Sequence, residues 1–309
     1  MINILGKRYL FFGISLLIII PGLILAIVGL PLSIDFTGGS LLEVKFEGGK
    51  APQPADIITI YNSLGIKDVQ VQTTNQGIAI ARSSELAEGL NKQIEAEMGK
   101  RFPDLGTVAE LRFESVGATV GKEVAKRAAE VVAIAAVGVV LYMWFAFRKL
   151  PHALRYGLCA IFAMLHDIGI VVALGSIGGR LFGWQVDALF LTALLTVIGF
   201  SVQDKVVVFD RIRENSSIYR KLPFERLVNH SIIQTLQRSI NTQLMTVEFM
   251  LLALALFGGV TLREFAVILL VGLFSGTYSS IFIASSILVV WENREWKKWF
   301  RRGEETAAA

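Results

Sequence analysis

Six separate stretches of this 309-residue chain are each close to 20 residues long and almost free of charge: Tyr9–Leu30, Ala128–Phe147, Ala153–Leu174, Ala188–Phe209, Ser239–Phe257 and Phe265–Trp291. About 20 apolar residues in helical form cross the hydrocarbon of a bilayer. One water-soluble core has no room for six such helices. Composition agrees, with 53% hydrophobic residues, 18% charged residues and a mean hydropathy of +0.58, whereas a soluble domain carries roughly a quarter charged residues. The pattern predicts an α-helical polytopic membrane protein with a six-helix transmembrane bundle. Lys7 and Arg8 stand before the first run as they would before a signal peptide. That run is longer than the roughly 7–15 residues of a signal core, however, and no small-residue cleavage site follows, so it reads as an anchor.

Orientation follows from the basic residues, which gather on the cytoplasmic side of membrane helices. Lys7 and Arg8 precede the first span, and Arg148, Lys149 and Arg155 lie between the second and third. Arg211, Arg213, Arg220, Lys221 and Arg226 separate the fourth from the fifth, and Lys297, Lys298, Arg301 and Arg302 follow the sixth. The opposite short connections hold little beyond Arg180 and Arg263. Both termini are therefore expected in the cytoplasm. The chain divides into a first transmembrane helix (1–30), an extracytoplasmic domain (31–127), a five-helix transmembrane part (128–291) with a cytoplasmic, partly interfacial helical loop at 210–237, and a basic tail (292–309). Trp291, Trp296 and Trp299 among the tail's cations read as an interfacial anchor.

The long outer connection alternates in period two at 41–46, 69–74, 77–83 and 108–113, and two helical patterns intervene at 55–65 and 84–102. The order βαββαβ is that of a ferredoxin-like two-layer domain, a fold that names no function by itself. Asp35, just beyond the first span, is expected to cap the turn through Gly38 and Gly39.

Ionisable groups inside hydrocarbon cost several kcal/mol each and usually face the protein interior. Few occur here: His166 and Asp167 in the third span, Gln203, Asp204 and Lys205 in the fourth, and Arg238, Asn241, Thr242, Gln243 and Glu248 around the fifth. At about 1.5 Å per residue, counting from the outer ends of the apolar runs puts Asp167 about 10 Å down, Glu248 about 15 Å, and Asp204 and Arg238 about 25–30 Å. Asp204 and Arg238 are expected to meet at one level as an ion pair, either a titrating switch or a static device for helix register. The whole set forms a staircase suited to proton movement. His166 and Asp167 read equally well as a relay step or as residues at an interfacial break. Glu248 is a further relay step or a protonated side chain bonded to a neighbour. Lys205 points well away from Gln203 and is expected to snorkel to the inner interface. Gly272, Gly276 and Ser280 repeat every four residues as a close-packing seam.

The sequence carries no phosphate-binding glycine loop with lysine, no HExxH and no nucleophile–base set. One cysteine, Cys159, and three histidines exclude an intrachain disulfide and make a zinc site unexpected. No enzyme activity, cofactor, metal or nucleic-acid partner is expected.

Several motifs carry a resemblance. IDFTGGS (34–40), SVGATVGKE (115–123), HDIG (166–169), GFSVQDKVVVFDRIREN (199–215), TLQRSINTQLMT (235–246) and FGG (257–259) occur in the order in which the SecF subunits of bacterial SecDF protein-export complexes have similar elements. The likeness runs over nearly the whole chain. It implies a fold related to resistance–nodulation–division transporters, a SecD-like partner, and contact with the SecYEG channel, a translocating polypeptide and membrane lipid. It also implies use of the proton-motive force to help exported chains leave the channel. By the same resemblance Asp204 matches the family's proton-responsive aspartate and Arg238 its partner arginine. Lys205 departs from the pattern, which has a small hydroxylated residue there, and Glu248 is an added acid. Two other functions compatible with the residues are a structural partner of SecD and the channel that conducts no ions, and a small-molecule efflux transporter of the related superfamily.

Overall fold

A computed structural model describes residues 3–74, 76–148, 153–242, 249–257 and 260–295. The chain forms two units, one of residues 32–131 with 185–188, the other of the remaining helices.

In the first unit a short helix α2 (Ile34–Thr37) leads into β1 (Gly39–Phe46), followed by α3 (Pro54–Ser63), β2 (Val69–Thr73), β3 (Ile78–Ser83), α4 (Leu90–Arg101) and β4 (Val108–Val116). The strands form one sheet in the order β2-β3-β1-β4, and every neighbouring pair is antiparallel. Alternation sends Leu42, Val44 and Phe46 of β1 to one face, where they are buried with Ile57, Ile60 and Tyr61 of α3 and Ile94 and Met98 of α4. Both helices thus cover the same side of the sheet. The chain enters the sheet through two adjacent glycines with positive φ, 76° at Gly38 and 127° at Gly39. A Cβ at Gly38 would lie 2.6 Å from the Ala118 Cα, and one at Gly39 2.5 Å from the Ser83 carbonyl oxygen. Only glycine meets both demands.

The bonding of Asp35 corrects the expectation that it caps the turn through Gly38 and Gly39. Ser33 caps α2, its hydroxyl accepting from the Asp35 amide at 3.2 Å. The Asp35 carboxylate instead accepts from the amide of Ala188, at the start of a later helix, at 3.2 Å. A helix start has free amides to offer an anion, and that competes successfully with the local turn.

The second unit holds α1 (Arg8–Val28), the later part of α5 (Ala118–Phe147), α6 (Ala153–Phe182), α7 (Ala188–Ile218), α8 (Phe224–Ser239), α9 (Phe249–Phe257) and α10 (Val260–Tyr278). A π-helical segment, Ser279–Ala284, joins α10 to α11 (Ser285–Glu292). Among the described residues five helices are long and apolar enough to cross a membrane. The fifth expected span, 239–257, includes residues 243–248, Glu248 among them, which lie outside the described set, and Trp296 and Trp299 of the tail lie outside it too. Most of the segment 210–237 is helical, as expected. α7 continues to Ile218, and α8 is packed inward through Leu227, Val228 and Ile232.

Small residues let these helices approach closely. A Cβ at Gly22 of α1 would meet the Cβ of Ala173 of α6 at 2.0 Å, and one at Gly272 of α10 would meet Val197 of α7 at 2.3 Å. Gly138 of α5 has nothing within 4 Å. Gly22→Leu is therefore expected to lower thermal stability by an overpacking cost of about 1–3 kcal/mol, while Gly138→Leu leaves the melting temperature unchanged. Equal effects in a thermal-unfolding comparison would contradict this packing.

Candidate functional site

The interior of the helical unit is organised around Asp167, whose side chain is wholly buried at the middle of α6. Fifteen residues separate it from Phe182 at one helix end, about 22 Å of rise. Asp204 lies sixteen residues from Ala188 on α7, about 24 Å. The expected depth of about 10 Å for Asp167 was too shallow because α6 continues eight residues beyond its apolar run, to Phe182. Asp167 and Asp204 thus stand in one layer; Glu248, another step of the expected staircase, lies outside the described residues.

Five donors converge on Asp167. Oδ1 accepts from Ser275 at 2.9 Å and from His166 Nδ1 at 3.0 Å. Oδ2 accepts from Ser201 at 2.5 Å, Ser279 at 2.6 Å and Lys205 Nζ at 2.8 Å. With Nδ1–H given to the carboxylate, His166 Nε2 accepts from Ser15 of α1 at 2.9 Å. The His166 ring also stacks on Tyr278, whose hydroxyl donates to the Phe11 carbonyl at 3.0 Å. His166 and Asp167 therefore stand at mid-helix in a network joining α1, α6, α7 and the last helix, with no interfacial break beside them.

Lys205 corrects a second expectation. It does not snorkel: its side chain is 0% exposed and pairs with Asp167. Its direction away from Gln203 was read correctly, but Gln203 is the exposed residue of the two, so the opposite direction is the bundle interior. One residue along a helix turns about 100°. Lys205 accordingly faces α6 while Asp204 faces α8 and the last helix.

Asp204 is 7% exposed and takes one hydroxyl on each oxygen, Ser239 of α8 at 2.7 Å and Ser280 of the π segment. Among the described residues no ion pair joins it to Arg238. Both line one cavity of about 50 Å³ together with Gln203, Thr242, Phe200 and Val207. Arg238 also lines a cavity of about 360 Å³ with Asp210, Glu214 and Gln234. Asp204 and Arg238 thus share a cavity, and among the described residues the expected ion pair between them is not formed. Arg238, Asn241 and Thr242 are exposed on the surface of this chain, and the Thr242 hydroxyl donates to the Arg238 carbonyl.

Sequence reasoning missed the serines. Ser279 and Ser280 are neighbours, yet one donates to Asp167 on α6 and the other to Asp204 on α7. They open the π segment, and such bulges commonly mark functional positions. Gly272 and Gly276 do form a packing seam, but Ser280 is a ligand of Asp204. The available signal was the density of hydroxyls in one apolar span: Ser275, Thr277, Ser279, Ser280, Ser285 and Ser286 are all buried.

A second cluster ties the helix ends. Arg8 pairs with Glu295 at 2.6 Å and Glu225 at 3.0 Å, and the Tyr9 hydroxyl donates to Glu295 at 2.6 Å. Burial opposes the Glu295 carboxylate, but hydrogen bonds from Tyr9 and Asn293 and the charge of Arg8 outweigh it, so its pKa lies below the ordinary 4.5.

Helices of hydrocarbon length, a small sheet unit and a buried ion pair define a multi-pass membrane protein. Residues 97–294 match the profile described as protein export membrane protein SecD/SecF, C-terminal, and residues 23–49, which contain Gly38 and Gly39, match the SecD/SecF GG motif. A protein translocase subunit SecF of Anaerolinea thermophila is 66% identical over 310 residues, covering all of both chains, and one of Thermobaculum terrenum is 47% identical over 323 residues, again covering both. The crystal structure of SecDF, a translocon-associated membrane protein from Thermus thermophilus, superposes with a TM-score of 0.81 at 31% identity, over 94% of this chain and 39% of that longer one. The chain belongs to the SecD/SecF family of protein-export membrane proteins, and its role lies in protein export.

Two measurements check the site. Lys205→Met or Asp167→Asn alone strands a buried charge and is expected to cost about 3–5 kcal/mol, whereas the double substitution recovers most of it. Additive losses in thermal unfolding would deny the pair. Because the Glu295 pKa is lowered on folding, its contribution is present above pH 4.5 and is lost as pH falls through the lower folded value. Glu295→Gln should remove that part of the acid sensitivity, and an unchanged stability–pH profile would contradict it.

Proposed function

We propose that this chain, with a SecD-like partner, uses the proton-motive force to assist late steps of protein export at the SecYEG channel. Both termini are in the cytoplasm in this reading, and the sheet unit, whose strand order supports a ferredoxin-like domain, stands outside and contacts the translocating polypeptide. Asp204 is the carboxyl that takes up and releases the proton. Arg238 controls its access to the larger cavity beside Asp210 and Glu214, which supplies the cytoplasmic end of the path. The one observation that carries this reading is the setting of Asp204: a buried carboxyl held by two hydroxyls, without a cation partner among the described residues, beside a cavity that Arg238 shares.

A proton crossing the membrane yields about 2.3 kcal/mol per 100 mV, enough to bias a two-state element rather than to unfold one. Neutralising Asp204 removes its charge from the cavity and frees Arg238 from its attraction. α8, which ends at Ser239 beside Arg238, is the element that this change reaches first. The saturated Asp167–Lys205 pair favours a second reading, in which the bundle is a static scaffold for SecD and the channel. An efflux function has no comparable support. Reconstitution with the SecD partner separates the two. Proton flux and proton-driven export are expected in the parent complex and should fall at least tenfold in Asp204→Asn and Arg238→Ala, a loss of about 1.4 kcal/mol or more. Flux absent from the parent, or unchanged in Asp204→Asn, establishes the scaffold instead.

A further inference from the structure

The ammonium of Lys205 sits among oxygens. Its partners are Asp167 Oδ2 at 2.8 Å, the Ser201 carbonyl at 3.4 Å and the Ser201 hydroxyl. The same Asp167 oxygen also takes the hydroxyls of Ser201 and Ser279. All four residues are fully or almost fully buried. Carboxylate, carbonyl and hydroxyl oxygens are the donors that hard metal cations select, and a lysine ammonium is a compact point charge on a flexible stem. We propose that Lys205 is a tethered cation filling a site of the sodium class between α6 and α7, so that the protein excludes the free ion.

The charge count selects a monovalent ion. The cage holds one carboxylate, so one positive charge neutralises it, and a divalent ion would leave a net charge in a low-dielectric interior. Asp204 does not contribute a second negative charge to the cage, because its two oxygens are turned to Ser239 and Ser280. Removing the ammonium leaves Asp167 with two ways to avoid a bare buried charge: taking a proton, or taking a metal ion in the vacated space. The three oxygens already placed there favour the ion. For the coupling ion the consequence rests on the reading of Asp204 given above. With the alkali position occupied by a side chain, the exchangeable site is a carboxyl with two hydroxyl partners, which suits a proton.

The test is thermal unfolding of the full-length chain in lipid nanodiscs, in sodium chloride and in choline chloride of equal ionic strength. The unsubstituted protein should melt at the same temperature in both. Lys205→Ala should be destabilised in choline and raised by several degrees in sodium, with saturation, because ligand binding to the folded state adds stability. Lys205→Met, which fills the space without a charge, should be destabilised equally in both salts. A Lys205→Ala protein that folds only in sodium gives the same answer. One that is unfolded in both salts, or equally stable in both, overturns the proposal, as does a sodium-specific rise in the unsubstituted chain. None of these readings uses proton flux. A sodium response in Lys205→Ala with undiminished flux in Asp204→Asn would therefore retain the cation site and discard the coupling role.

Discussion

A lysine and an aspartate that neutralise each other out of reach of water set the terms for the helical unit. An isolated charge there is too costly to tolerate, so α6 and α7 must present Asp167 and Lys205 at the same height and face to face. The remaining oxygen valences of Asp167 draw in Ser201, Ser275 and Ser279, which brings the last helix to the same layer. That approach needs small residues, and Gly276 lies against Ser201 where a Cβ would be 3.3 Å from its Cβ. Packing and charge therefore specify one arrangement, as expected where polar networks in a core are fully satisfied.

The layer contains two carboxyls in different settings. Asp167 has five donors, one of them a cation; Asp204 has two hydroxyls and an open side toward Arg238. Pairs of acids whose surroundings differ in this way divide their roles. In the function proposed above, the first fixes the helices and the second is left to respond. Ser279 and Ser280 join the two through adjacent backbone positions, so a shift of the π segment moves donors at both carboxyls together.

Much of this was legible in the residues. The apolar runs located the long helices, period-two alternation located the four strands, and the scarcity of intramembrane charges singled out Asp167, Asp204, Lys205 and Arg238. Pairings were not legible. Depth counted from apolar runs misplaced Asp167, because α6 extends through polar residues to Phe182. Helical angle gave the direction of Lys205 relative to Gln203 but not which of them faces the protein, a fact decided by neighbours remote in sequence. The serines carry so little signal individually that only the carboxylates they meet distinguish ligands from spacers. Asp35 was assigned to its nearest turn, whereas the start of α7, 153 residues away, claims it.

The central claim is that Asp204 is the carboxyl that exchanges its proton while Asp167 stays ionised against Lys205. Infrared titration of the protonated-carboxyl band in membranes addresses it directly. The account predicts a titrating band that disappears when Asp204 is replaced by asparagine and stays in place when the replaced residue is exposed, such as Glu88. A band that survives the loss of Asp204 and vanishes with Asp167 would contradict it.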